Sequence, residues 1–163
     1  MFVTQGTVQI HSSPAYLIPE IEKGLSRALG SSVTCAWSPQ SMRPGCSRTL
    51  LDWVGPIGSG SVIVSILQNF ESLLFEVTED QSKKTDGARW MHTPSCGVFY
   101  APTDSAGNLV ISENRITWIT NSSKDHAELC REIKSALGQP WDEELEPYRS
   151  TAPSWPARLF RVS

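Results

Sequence analysis

The chain has 163 residues, 39% of them hydrophobic and 19% charged, with a net charge of −3; these values suit one domain with its own core and exclude a disordered chain of low hydrophobicity and high charge. No Lys/Arg stripe supplies the footprint that phosphate-backbone binding needs, so nucleic acid is not an expected partner. No window approaches the roughly 20 apolar residues that span a bilayer, and Met1-Phe-Val-Thr-Gln-Gly6 lacks a basic region followed by an apolar run, so no membrane partner and a cytoplasmic location are expected.

In chain order, Val8 and Ile10 alternate with Thr7, Gln9 and His11, the period of a half-buried strand. Ser12-Ser13-Pro14 offers cap chemistry, and Ile18, Ile21, Leu25, Ala28 and Leu29 recur at helical spacing before Gly30. Pro19 leaves two starts for that helix, at 14 or at 19. Val33, Cys35 and Trp37 predict a second strand ending at Ser38-Pro39, and Leu51 and Trp53 a third. Gly55-Pro-Ile-Gly-Ser-Gly60 turns into a helical stripe of Val62, Ile63, Ile66, Leu67 and Phe70, and Leu73, Phe75 and Val77 predict a fourth strand.

Strand, helix, strand, strand, helix, strand over residues 1–80 is the order of a ferredoxin-like βαββαβ unit. The expected fold class is therefore α+β: a two-layer sandwich with both helices on one face of an antiparallel sheet and the other face awaiting a cover or a partner. Residues 81–163 are read as an extension of the same single domain 1–163. Ala88 to Thr93 and Val98 to Ala101 form a hairpin turned by Pro94-Ser95-Cys96-Gly97. Leu109 to Ile111 suggests a short strand and Ser112-Glu113 a short helix carrying Ile116 and Ile119. Ser122 or Ser123 caps a further helix with His126, Leu129, Cys130, Ile133, Ala136 and Leu137 on one stripe, stopped by Gly138. Pro140 opens a short acidic helix, Trp141 to Glu146, closed by Pro147, and Leu159, Phe160 and Val162 suggest a last edge strand.

Arg89-Trp-Met-His-Thr-Pro94, Phe99-Tyr-Ala-Pro-Thr-Asp104, Ala106-Gly-Asn108 and Ala136-Leu-Gly-Gln-Pro-Trp-Asp-Glu-Glu-Leu-Glu-Pro-Tyr-Arg149, with His11-Ser-Ser-Pro14, Arg27-Ala-Leu-Gly30, Gly55-Pro56 and Phe75-Glu-Val-Thr-Glu-Asp80, resemble the uncharacterised actinobacterial DUF3145 family nearly end to end. The resemblance implies small cytoplasmic proteins, in some genomes encoded beside fatty-acid synthesis genes. It thereby points toward acyl-chain metabolism, as an accessory subunit of an acyl-CoA carboxylase or fatty-acid synthase. It carries over no catalytic residues.

The residues themselves offer four constellations. Gly55-x-x-Gly58-x-Gly60-Ser61 opens a helix, whose amides can hold a phosphate, but the spacing fits neither a dinucleotide fingerprint nor a P-loop; a tight turn with a Ser59 or Ser61 cap is preferred. His92, Cys96 and Asp104 are the candidate catalytic residues, a general base with a nearby thiol and carboxylate, set against a packed His beside Trp90. Arg89 lies across the strand from Trp90 and His92 and is expected to pair with a carboxylate such as Asp104. Trp141 and Leu145 share a helical face beside Asp142, Glu143, Glu144 and Glu146, either as an anchor with an acidic rim or as a core plug with solvated acids. Cys35, Cys46, Cys96 and Cys130 lack paired spacing, so free thiols, no metal site and no cofactor are expected.

The leading expectation is thus a non-catalytic adaptor that binds a protein partner through Arg89, Trp90, Tyr100 and Asn108, or through Trp141, Asp142, Glu143, Glu146 and Arg149. Homodimerisation through an uncovered sheet edge is a second partner expectation. The alternative is a small-molecule or acyl-CoA binding domain, or an enzyme using His92, with its pocket between the sheet and the hairpin.

Overall fold

The computed structural model describes residues 2–149, and the alternation in its first strand sets the frame for the rest. β1 (Val3–Pro14) sends Val8 and Ile10 to one face and Gln9 and His11 to the other; period-two geometry makes these separate surfaces. The strand is longer than its clearest alternation, and it absorbs Ser12 and Ser13, which are fully buried and cap nothing. After a single 3-10 turn, α1 (Ile18–Leu29) begins without a side-chain cap. Pro19 sits in its first turn, where a missing amide is harmless, and Gly30 ends it at φ 66°.

The strand expected over Val33 to Trp37 does not form: β2 is only Ser38–Pro39. The cause is a carboxylate on α1. Glu22 Oε1 accepts the Cys35 amide and the Trp37 indole N–H, both at 2.9 Å, and Ser26 Oγ accepts the Val33 amide. Amides that would have joined a ladder are bonded to the helix instead.

β3 (Cys46–Pro56), α2 (Ser59–Leu67), β4 (Leu74–Glu79), β5 (Gly87–Thr93) and β6 (Gly97–Thr103) follow. The sheet has the order β2-β3-β1-β4-β5-β6, and every neighbouring pair is antiparallel. The β5–β6 hairpin therefore extends the sheet beyond β4. Leu109 makes one bridge to Thr103 rather than a strand, because Pro102 and the tight turn at Asp104 leave no room for a second rung.

Three more helices complete a mixed α/β fold. α3 (Glu113–Ser122) is capped by Ser112, whose hydroxyl accepts the Arg115 amide. Because α3 runs through Ser122, the next cap falls to Asp125, not to Ser122 or Ser123, and α4 spans His126–Ala136. α5 (Gln139–Arg149) continues past Pro147 instead of closing there. The ion pairs of Arg149 with Glu76 and Asp142 hold the turn that the proline would otherwise release. The edge strand expected at Leu159 to Val162 lies outside the described residues.

Two cores flank the sheet. α1 and α2 close one face with Ile21, Leu25, Ile63 and Leu67 over Val8, Ile10, Phe75 and Val77. On the other face α5 drops Leu145 onto Leu74, Met91, Phe99 and Ala101, and burying that leucine contributes about 1.5–3 kcal/mol.

Candidate functional site

Alternation places Glu76 of β4 on the α5 face, where it is the hub of a buried ionic cluster. Its Oε2 meets His11 Nε2 at 2.6 Å and accepts Arg149 Nε at 3.0 Å. Its Oε1 accepts Arg89 Nη2 at 2.9 Å and also Arg149 Nη2. Asp142 adds a second carboxylate, 2.9 Å from Arg149 and 3.3 Å from Arg89. Burial alone would raise the Glu76 pKa, but the hydrogen bond and charge of His11 and then Arg149 outweigh it and hold the carboxyl well below its ordinary range. Arg149, which burial alone would lower, is held higher by Glu76 and Asp142. The cluster fastens α5 to β1, β4 and β5.

Beyond the reach of α5 the same sheet face is left open by the described residues. An open groove of about 1080 Å³ runs over Thr7 and Thr78, between β3 and the loop after β6. Asp52, Asp80 and Asp104 stand in its lining. Asp80 Oδ2 accepts from Gln5 Nε2, and Asp104 holds a tight turn through the Ala106 and Asn108 amides and the Asn108 side chain. Those bonds, the Asn108 side chain first, keep the Asp104 pKa below its ordinary value. Arg89 also lines the groove, but its charge is engaged by Glu76 and Asp142.

A family model described as "Protein of unknown function (DUF3145)" matches residues 7–161. The chain belongs to the DUF3145 family. The match covers the cluster of this DUF3145 chain and the groove's lining apart from Gln5 and Gly6. No curated protein and no solved structure shows a significant match.

In this DUF3145 chain the candidate catalytic residues are dispersed. His92 is buried on the α1–α2 face, stacked on Phe75 at 5.0 Å, with Nδ1 2.7 Å from the Leu73 carbonyl oxygen. Cys96 lies in the β5–β6 turn with its thiol beside Ser95 and 3.7 Å from Glu144 of α5, toward the opposite face. Asp104 follows the far end of β6. Five residue steps separate the His92–Val98 pair from the Gly87–Thr103 pair, roughly 17 Å at about 3.4 Å per residue. The expected Arg89–Asp104 pair is replaced by Arg89 with Glu76 and Asp142, because Arg89 faces α5 rather than the turn after β6.

Of the residues expected to meet a partner, Trp90 is 8% exposed within the first core, and Tyr100 leans on it at 5.5 Å while remaining 58% exposed. Asn108 is spent on the Asp104 turn. Trp141 packs on Phe99 at 5.1 Å and donates its indole N–H to the Gly97 carbonyl. Arg149 is buried, Asp142 is half-buried beside it, and Glu146 reaches Arg149 at 3.5 Å. Glu143 is exposed and accepts from Gln139.

The glycine turn before α2 is occupied by the chain itself. Glu79 of β4 accepts the Gly58 amide at 2.7 Å and the Gly60 amide at 2.9 Å, so the anion at this helix start is an internal carboxylate. Ser59 and Ser61 instead donate to the Pro56 and Gly58 carbonyls, and the cap position is Gly58 at φ 92°. Among the described residues no group of three His, Cys, Asp or Glu side chains is placed to hold a metal ion, and no helix is long and apolar enough to cross a membrane.

Glu76, Glu79 and Trp118 carry little signal in the sequence. Glu76 and Glu79 looked alike in Phe75-Glu-Val-Thr-Glu79, although their odd spacing already placed them on opposite faces. Trp118 is 62% exposed on α3, a helix whose buried residue is Ile119; its helical offset from Ile119 was the available signal.

All four cysteines are free. Burial and then the charge of Glu22 push the Cys35 thiol up to about 11, against a weaker opposing bond to Thr49. Its thiolate is therefore scarce at pH 8. Alkylation of Cys35 is expected to run about a hundredfold slower than that of an ordinary thiol of pKa ~8.5, which timed iodoacetamide labelling with peptide mapping reads directly. Labelling at an ordinary rate would refute the buried placement of Cys35 beside Glu22.

Proposed function

We propose that this chain is a non-catalytic accessory protein that docks on a protein partner. The observation that carries the reading is the half-covered sheet face: α5 is fastened over one part by the Glu76 cluster, and the remainder is an open groove beside β3. His92, Cys96 and Asp104 occupy separate places in the fold, which supports binding over catalysis. The family resemblance suggests the partner's class, a lipid-synthesis enzyme such as an acyl-CoA carboxylase or fatty-acid synthase component. Within this reading residues 1–80 are a ferredoxin-like βαββαβ unit, supported by the order β2-β3-β1-β4 with a helix after β1 and another after β3.

The same groove is large enough for a small ligand, and an acyl-CoA is the alternative occupant. Asp52, Asp80 and Asp104 in the lining oppose a polyphosphate headgroup, and His92 lies on the other face. Affinity purification of the tagged full-length chain from native cells, followed by mass spectrometry, tests the reading. A stoichiometric enzyme subunit is expected with the wild type. Loss of that subunit in Asp80→Lys/Asp104→Lys assigns the groove, whereas loss in Glu143→Lys assigns the outer face of α5. Recovery of the chain alone, together with saturable acyl-CoA binding, would replace this reading by the alternative.

A further inference from the structure

We propose that the outer edge of β3 is a docking strand for an extended segment of the partner protein in which basic residues alternate with apolar ones; the proposal rests on the accessory reading above. The pairing geometry exposes the edge. The Ile57 amide bonds the Phe2 carbonyl, in register with Val3 opposite Pro56, so Thr49, Leu51, Trp53 and Gly55 turn their amides toward β1. Arg48 faces β2 opposite Ser38, and that ladder ends there. Leu50, Asp52 and Val54 are left pointing outward with no ladder partner among the described residues.

The strand that would have covered them is held away by α1, since Glu22 and Ser26 take the amides of Val33, Cys35 and the Trp37 indole. An unpaired edge of this kind is a template for an added strand. Side chains of an added strand alternate between faces. On one face they meet Asp52 flanked by Leu50 and Val54, with Asp80 and Asp104 also in the lining of that groove, and the carboxylates select cationic residues there. On the other they meet the half-exposed Leu51 and Trp37 at the margin of the first core, which selects apolar ones.

The same register argues against a second copy as occupant. Antiparallel self-pairing that uses all three free positions must centre on Asp52, setting Leu50 against Val54 and Asp52 against its own copy, a like-charge contact directly across the ladder. Shifting by one residue on either side brings in Arg48, already paired, or Pro56, which has no amide.

The test uses the full-length protein with two synthetic probes, acetyl-(Lys-Val)4-amide and acetyl-(Glu-Val)4-amide, and amide-resolved hydrogen exchange. In the isolated protein the Leu50, Asp52 and Val54 amides are expected to exchange fast. The basic peptide should protect them, the acidic peptide should not, and Asp52→Lys should weaken the basic peptide about tenfold. Protection of these amides in the isolated protein, protection that rises with protein concentration alongside a dimer mass, equal binding of both peptides, or no binding of the basic one would each overturn the proposal. Failure of the accessory reading is distinguishable: there the wild type captures no partner from cells. If the wild type captures one and Asp52→Lys retains it in full, the reading survives and the edge proposal falls.

Discussion

Glu76→Gln is expected to lower the unfolding free energy by about 3–5 kcal/mol, because it leaves buried cations without their shared carboxylate. Arg149 is 6% exposed and would retain only the partly exposed Asp142 and the outer Glu146. Urea denaturation should show a lower midpoint with an unchanged slope. Arg149→Met should destabilise too, and Glu76→Leu combined with Arg149→Met should cost less than the two single changes summed, since each alone leaves the other's charge buried. Additive behaviour would show that the two side chains are not coupled.

The same residue sets an acid limit. The folded pKa of Glu76 is depressed below its unfolded value, so its contribution is fully present above the unfolded value of about 4.3 and is lost as pH falls through the folded one. Wild-type stability should therefore fall steeply below about pH 4.3, and the Glu76→Gln curve should be flatter there. Parallel curves would refute the assignment.

Gly6→Ala is expected to cost about 3 kcal/mol or more, at the upper end of overpacking. A Cβ at Gly6 would lie 1.9 Å from the Thr78 carbonyl oxygen and 2.8 Å from the Trp53 ring. The first is backbone and cannot swing aside, so β1 and β4 would have to part in the middle of the sheet. Gly30→Ala is the comparison, because nothing lies within 4 Å of a Cβ there and the cost is the left-handed backbone alone, about 1–2 kcal/mol. Thermal and urea midpoints should rank Gly6→Ala well below Gly30→Ala, and the reverse order would remove the close approach of the strands.

The positions of most elements were legible in the chain. The alternation around Val8 and Ile10, the stripe ending at Gly30, the stripe after Gly60 and the hairpin across Pro94 to Gly97 each follow from local periodicity and turn chemistry, and all four occur. Local rules failed where a distant side chain intervened. Val33 to Trp37 has strand composition, yet Ser26 and Glu22 claim the Val33 and Cys35 amides. Pro147 should end a helix, yet Arg149 is anchored beyond it. Serines stood ready at two helix starts, where Glu79 and Asp125 act instead.

The candidate site was less legible, for the same reason. Arg89 and the acidic stretch at 142–146 stand out in the sequence, but Glu76 and His11, which complete the cluster with them, stand 65 residues apart and look like ordinary strand positions. What the sequence determined by itself is the set of amphipathic segments, because burial periodicity is local to each segment. Only the tertiary structure decided that Glu76 gathers His11, Arg89 and Arg149 under α5 and that the outer edge of β3 has no ladder partner among the described residues, because such pairings are set by the long-range register of the sheet.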